Sequence, residues 1–177
     1  YNYDSATGNL SSKAGVGYTY NAQVSCAAGS RAIPHAASAM GSNTYSYDCN
    51  GNMTGRTISG SGSYTLVYDA ENRLVTVSGA ASATFLYDGD GKRVKATVNG
   101  TATAYVGNDY EWSSSSWTKY YYAGTTRVAM RTSSSLYFLL GDHLGSTSIV
   151  ATDTGVKYSE SRYMPWGKDR YTSTTPP

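Results

Sequence analysis

The chain has 177 residues, with 14 Lys and Arg against 12 Asp and Glu, for a net charge of +2. The basic residues are scattered rather than clustered, which argues against nucleic acid or an anionic membrane surface as partner, and no run approaches the ~18 consecutive apolar residues of a membrane span. Tyrosine is the outlier, 18 copies against 2 Phe; Tyr and Thr favour strands, and the abundant Gly and Ser favour turns.

In chain order, Tyr1-Asn2-Tyr3-Asp4 and Gly17-Tyr18-Thr19-Tyr20-Asn21 alternate with period 2 and read as strands. The start, with no Met and no basic-then-apolar signal, lies within a repeat, so the chain reads as a piece of something longer. Residues 24–44, with Ala27-Ala28-Gly29-Ser30 and Ala36-Ala37-Ser38-Ala39 flanking Pro34, read as an irregular insertion. From Thr44 the pattern is regular. Tyr45 and Tyr47, then Tyr64, Leu66 and Tyr68, then Phe85 and Tyr87 alternate with polar residues. Each such strand runs into a turn: Tyr47-Asp48-Cys49-Asn50-Gly51-Asn52-Met53, Tyr68-Asp69-Ala70-Glu71-Asn72-Arg73-Leu74 and Tyr87-Asp88-Gly89-Asp90-Gly91-Lys92-Arg93-Val94. A looser copy, Tyr3-Asp4-Ser5-Ala6-Thr7-Gly8-Asn9-Leu10, opens the chain. The period is near 20 residues, and it decides the architecture. The Asp accepts backbone N–H groups as in an Asx-turn. Gly51 and Gly91 supply a positive φ, Asn72 is the next most tolerant residue there, and Leu10, Met53, Leu74 or Val94 restarts the strand facing inward.

Beyond residue 100 the count breaks. Tyr110-Glu111-Trp112 and Trp117 to Tyr122 form a hairpin around Ser113-Ser114-Ser115-Ser116; Val128 to Arg131 and Leu136 to Leu140 are two more strands. After Gly141-Asp142-His143-Leu144-Gly145 the chain runs Ile149 to Thr152, turns at Asp153-Thr154-Gly155 and returns through Val156 to Tyr163. No segment has sustained helical periodicity. The fold class is all-β: a coiled β-ribbon of hairpins, part of a β-shell or barrel or of a repeat filament.

Few residues invite chemistry. Asp142 beside His143 suggests an acid/base dyad or a metal ligand, but neighbours on an extended chain point to opposite faces, and the other His, His35, is far off; a structural His fixing the turn is favoured. Asp4, Asp48, Asp69, Asp88 and Asp153 could be read as calcium ligands, yet there is generally one per turn, Asp88 and Asp90 being the closest pair. No catalytic, cofactor-binding or metal residue is assigned, no cofactor is expected, and the chain is read as not an enzyme. Asn9-Leu10-Ser11, Asn52-Met53-Thr54 and Asn99-Gly100-Thr101 match the glycosylation sequon; the first two follow from the turn exit itself. The Tyr ladders are read as cross-strand packing in preference to sugar- or base-stacking platforms. Cys26 and Cys49 stand 23 residues apart, close to the period. Equivalent positions on adjacent turns lie ~4.8 Å apart, which leaves two outcomes open: a disulfide, given an oxidising compartment, or two free thiols.

Tyr47-Asp48-x-x-Gly51-Asn52-Met53-Thr54 and Tyr68-Asp69-x-x-x-Arg73-Leu74 resemble the tyrosine–aspartate (YD) repeats of Rhs proteins. Tyr137-Phe138-Leu139-Leu140-Gly141-Asp142-His143-Leu144-Gly145-Ser146-Thr147, with Asp153-x-Gly155 and Tyr163-x-Pro165-Trp166-Gly167, is similar to the start of the Rhs repeat-associated core. The resemblance divides the chain into YD repeats over 1–99 and the beginning of that core over 100–177, cut short at its C-terminal side. It implies a ribbon coiling into a hollow shell, which encloses a C-terminal toxin in bacterial Rhs and Tc systems and has a related barrel in the adhesion proteins called teneurins. Toxin members end their core in an aspartic self-cleavage site; residues 1–177 do not reach that stretch, so no catalytic residue carries over. The expected function is an extracellular structural scaffold (shell, stalk or filament) that encapsulates or presents an effector. The alternatives are a piece of a secreted polymorphic toxin or a carbohydrate- or cell-binding adhesin. Expected partners are the rest of the parent chain or like subunits through open strand edges, an enclosed toxin domain, or cell-surface glycans. The expected location is secreted or at a bacterial cell surface.

Overall fold

Alternating Tyr and β-branched residues between Gly-containing turns leave the chain few options besides short antiparallel strands, and a computed structural model of the protein contains nothing else: among the described residues (1–20, 22–165 and 167–177) no helix forms, so none crosses a membrane. Asn21 and Trp166, both part of the sequence motifs above, lie outside the described residues. The chain divides into two compact units, Tyr1–Gly100 and Thr101–Pro177.

The first unit holds β1 (Asn2–Tyr3), β2 (Leu10–Lys13), β3 (Val16–Thr19), β4 (Ala22–Cys26), β5 (Gly29–Ile33), β6 (Ala39–Met40), β7 (Asn43–Tyr47), β8 (Met53–Ile58), β9 (Gly62–Tyr68), β10 (Leu74–Gly79), β11 (Ala83–Tyr87) and β12 (Arg93–Val98). Each pairs antiparallel with the next, except that β3 pairs with β6 and the β4–β5 hairpin forms a separate two-stranded sheet. The stretch 24–44 is therefore more regular than its composition predicts. Five successive pairs from Ala22↔Ile33 to Cys26↔Gly29 close a hairpin, and irregular chain is confined to Pro34–Ser38.

The second unit continues as β13 (Thr101–Val106), β14 (Tyr110–Ser113), β15 (Ser116–Ala123), β16 (Thr126–Thr132), β17 (Leu136–Gly141), β18 (Thr147–Thr152), β19 (Lys157–Tyr163) and β20 (Asp169–Thr172), each antiparallel to the next. The loop read as four serines is tighter: Trp112 pairs with Trp117 and Ser113 with Ser116, leaving Ser114 and Ser115 as a two-residue turn, with Ser114 at φ 53°.

A bulge recurs at a fixed place. Tyr47 pairs with Met53 but Ser46 with Gly55, so Thr54 is extra; Val75, Val94, Ser148, Tyr158 and Arg170 are extra in the same way. Each lies six residues after the first residue of its turn. A bulge bends its strand and increases the right-handed twist, so each of these six turns is followed by a bend. This also corrects the alignment of the third repeat. Arg93, not Val94, occupies the exit position held by Met53 and Leu74, and Val94 is the bulge residue.

The core is thin. Among the described residues only Val24, Ala96, Ala129, Met130 and Val150 are buried apolar side chains, and the Tyr faces are half-buried.

Candidate functional site

The Asp turns are the repeated local structure. In the Asp48 turn the Asp48 N–H donates to Asn52 O (2.9 Å) and the Gly51 N–H to Asp48 O (3.1 Å), while Asp48 Oδ1 accepts the N–H groups of Asn50 and Asn52, both at 2.9 Å. Asp69 repeats this with Glu71 and Arg73, Asp88 with Asp90 and Lys92, and Asp142 with Leu144 and Ser146. The fourth residue has positive φ each time: Gly51, Asn72, Gly91 and Gly145. The Asp4 turn is one residue longer, with Asp4 Oδ1 accepting from Ala6 and Thr7.

Successive strands alternate direction, so Asp48, Asp69 and Asp88 share one edge of the first unit. The period of about 20 is two strands and two turns. The place on that edge between Asp4 and Asp48 is taken by the β4–β5 hairpin. Its Cys26 is joined to Cys49 in the Asp48 turn, with Cα atoms 5.7 Å apart. Arg31 Nη1 also donates to Cys49 O (3.1 Å). Neighbouring turns on this edge are linked by Asn50 and Asn52 amides donating to Asn72 Oδ1, both 2.8 Å.

The tyrosine that precedes a turn has its own task. Tyr20, Tyr47, Tyr87 and Tyr163 donate their hydroxyls to the carbonyls of Leu10, Ala37, Leu74 and Thr147, at 3.0, 2.7, 2.8 and 2.9 Å. Each target lies where the chain leaves the preceding turn or insertion on the same edge. The hydroxyl bolts one repeat to the one before, which Phe could not do. Burial pushes the Tyr47 phenol up, and neighbouring Tyr45 and Tyr20 add to it.

These bonds favour the charged carboxylates. Hydrogen bonds from Thr7, side chain first, hold Asp4 below the usual carboxylate range. For Asp48, burial raises the value, but bonds from Asn52, Asn50 and Gly51 together outweigh it. The Arg73 backbone leads in lowering Asp69, opposed by burial and helped by the Arg73 side chain, whose Nε lies 2.7 Å from Asp69 Oδ2. No three His, Cys, Asp or Glu side chains gather as a metal site among the described residues.

Two site readings need correction. Asp142 and His143 do not form a dyad: Asp142 accepts from its own turn and His143 is exposed, so the side-chain hydrogen bonds of the bend come from Asp142 and not from a structural His. Asp153 is not a repeat carboxylate. Its turn begins one residue earlier: the Thr152 N–H donates to Val156 O, the Gly155 N–H to Thr152 O, and Thr152 Oγ1 accepts from Val156 N–H at 3.1 Å. Asp153 is exposed at the second position. The Met164 turn has the same two backbone bonds, Met164 N–H to Lys168 O and Gly167 N–H to Met164 O.

Among the sequons, the Asn52 amide is committed to Asp48 Oδ2 (2.9 Å) and Asn72, and Asn9 to Pro34 O (2.8 Å), with Asn9 Oδ1 2.8 Å from His35 Nδ1. Asn99 Oδ1 accepts from the Ser82 N–H at 3.1 Å.

Sequence reasoning missed one feature. In the second unit an open hollow of about 290 Å³ is lined by Tyr120, Arg127, Met130, Leu139, Val150 and Ser159, with the chain's own Pro176 and Pro177 in its wall. Ser159 is 1% exposed. Its position was legible only as a polar residue on the inward side of a strand.

No family model matches the chain, and no curated protein does. The fold is similar to solved Tc toxin chains: the Photorhabdus luminescens Tc holotoxin pore with a mutated TccC3 (15% identity, TM-score 0.53), TcdB2-TccC3-TEV (16%, 0.54) and TcdB2-TccC3-Cdc42 (16%, 0.52). Each match covers 73% of this chain and 10% of the other, so the chain spans about a tenth of the length of those chains.

Proposed function

We propose that the chain is a structural part of an extracellular scaffold: a ribbon of YD repeats over 1–99, running into the start of an Rhs-like core over 100–177, that builds a shell, stalk or filament around or beneath an effector. The observation that carries this reading is the repeated turn. Its carboxylate and its positive-φ residue are spent on closing the turn itself, and the leading tyrosine, as at Tyr87, on holding one repeat to the one before. Such a unit makes surface and wall; it offers no reacting group, and the chain is read as not an enzyme. The likeness in fold to Tc toxin chains supports the same reading. A secreted location fits the Cys26–Cys49 bridge, which persists in an oxidising compartment; peptide mapping without reduction is expected to recover the two cysteines linked.

The thin core supports the expected partners. Among the described residues β1 pairs only with β2 and β20 only with β19, so each presents an unpaired edge, and such edges invite another strand. Purified protein is expected to resist protease, to turn over no substrate and to associate through those edges. Electron microscopy showing only isolated, compact monomers would overturn the association.

A second reading, part of a secreted polymorphic toxin, is favoured by TccC3 being named in the similar structures. Sequencing the gene downstream of Pro177 separates the two. An aspartate-containing cleavage motif followed by a variable domain supports the toxin; an anchor or sorting signal supports the scaffold.

A further inference from the structure

The β4–β5 hairpin of the first unit is fastened to the ribbon at its tip. Cys26↔Gly29 is the last pair before the hairpin bends, so Cys26 stands at the far end. There it is bonded to Cys49 in the Asp48 turn, and Arg31 Nη1 donates to the carbonyl of the same Cys49 (3.1 Å). Both ties therefore meet at one residue. Among the described residues no ladder joins β4 or β5 to any other strand. β5 is exposed from Gly29 to Ala32. Between β4 and β7 lies an open hollow of about 400 Å³, lined by residues 22–25 and 45–49. Val24, 8% exposed, is part of its wall.

The ribbon closes without this hairpin. β3 pairs directly with β6, Tyr18↔Met40 and Thr19↔Ala39, and the Ser38 N–H donates to Thr19 O (2.7 Å) at the base of the excursion. An isolated two-stranded hairpin is marginal in water. Residues 22–33 therefore depend on what holds their tip, while the strands on either side keep their own ladders. Across the hollow from β4 is an open stretch of β7. Backbone hydrogen-bonding groups alternate sides along a strand. The Asp48 N–H goes to Asn52 O on the β8 side, and the Tyr45 N–H goes to Ser38 O on the other. The backbone of Tyr47 thus faces away from β8. On that side β6 begins only at Ala39 and pairs only with Asn43 and Thr44, so among the described residues no strand pairs with Tyr47 there.

We propose that the Cys26–Cys49 bridge is a redox latch. Reduction frees residues 22–33 and uncovers Val24 and the Tyr47 edge of β7 while the ribbon stays folded; oxidation closes the hairpin again. The reductant is a dithiol. Its thiolate attacks one bridge sulfur and breaks the Cys26–Cys49 bond, forming a mixed disulfide; its second thiol then displaces the cysteine. The dithiol leaves as a disulfide, and its two electrons and two protons end on Cys26 and Cys49 as thiols. Both cysteines are half-buried rather than enclosed, which leaves the bridge within reach of a thiolate. The inference does not depend on the scaffold reading.

The test compares the full chain before and after dithiothreitol, with trypsin cleavage after Arg31 and hydrogen exchange as readouts. Cleavage tracks how often the hairpin opens, so it should be at least about tenfold faster in the reduced chain. Exchange in residues 22–33 and at the Tyr47 amide should accelerate with it, while β8 to β12 change less than about twofold. Oxidised glutathione should return both readouts to their starting values. The double variant Cys26→Ser, Cys49→Ser needs no reductant and should behave as the reduced chain does. The proposal is overturned by a chain isolated without the bridge, by equal cleavage after Arg31 in the two states, or by a double variant cut as slowly as the oxidised chain. It is equally overturned if β8 to β12 lose protection together with residues 22–33, which would make the bridge a staple of the whole unit, or if oxidation does not restore the starting state.

Discussion

The Asp142 and Met164 turns lie on the same edge of the second unit and differ in one essential respect. Both close with the first residue's N–H bonded four residues ahead and its carbonyl accepting from the fourth residue, Gly145 or Gly167, at φ 83° and 81°. Both are followed by a bulge, at Ser148 and Arg170. Asp142 adds two side-chain acceptor bonds that Met164 cannot make, and Thr152, on the opposite edge, makes one. The backbone course is thus set by the positive-φ residue and the bulge. The carboxylate satisfies N–H groups that the bend would otherwise leave to water. Asp marks the turn without being what makes it turn.

Four experiments break or sharpen that comparison, and because repeat stability is local each is read by hydrogen exchange around the altered turn. The largest effect is expected at the positive-φ position. Gly145→Val places a β-branched residue at φ 83° and should cost about 2–3 kcal/mol, whereas Ser114→Gly, at φ 53°, should be neutral or slightly stabilising. If the valine variant lost no protection, the primacy of the backbone would be wrong. Next comes the acceptor. Asp48→Ala should cost about 1 kcal/mol, and the converse Met164→Asp should add about 0.5 kcal/mol; an unchanged Met164→Asp turn would mean that the carboxylate contributes nothing there. Tyr87→Phe keeps the ring and deletes the bond to Leu74 O, so a loss of about 1 kcal/mol is expected, spread over β10 and β11 rather than confined to the turn.

The smallest effect is on pH. Asp4, Asp48 and Asp69 are held below the usual carboxylate range by their hydrogen bonds. Their stabilisation is complete above the unfolded value of about 3.9 and is lost as pH falls through the depressed folded value. Exchange at those three turns should accelerate in acid below about pH 4 while the Thr152 and Met164 turns do not respond. Equal acceleration at all five would show that the carboxylates are not the cause.

The all-β class, the strand alternation, the ~20-residue period and the turn chemistry of Asp48, Asp69 and Asp88 could be read from the chain. They depend on contacts within a few residues: side-chain direction along a strand, and a carboxylate reaching its own backbone. The errors came where composition was ambiguous or where the deciding partner was distant. Ala27 to Ser30 looked irregular because small residues carry no pattern, yet ladder bonds to Ala22–Cys26 make Gly29–Ile33 a strand. Asp153 drew attention as an acid, but the register of β18 against β19 starts the turn at Thr152. Val94 looked like the exit residue because a bulge has no residue signature of its own here.

The abundance of Tyr over Phe is plain in the sequence; its reason is tertiary. Hydroxyls such as that of Tyr87 find their acceptors 13 residues back, across strands that only the folded ribbon brings together. The same holds for Ser159. In sequence it is one polar residue among many, and its burial without a partner is settled by what β16, β17 and β18 place around it. Local periodicity names the element, because a strand's faces alternate whatever surrounds it; which hydroxyl is satisfied and which is left over depends on groups that are distant along the chain.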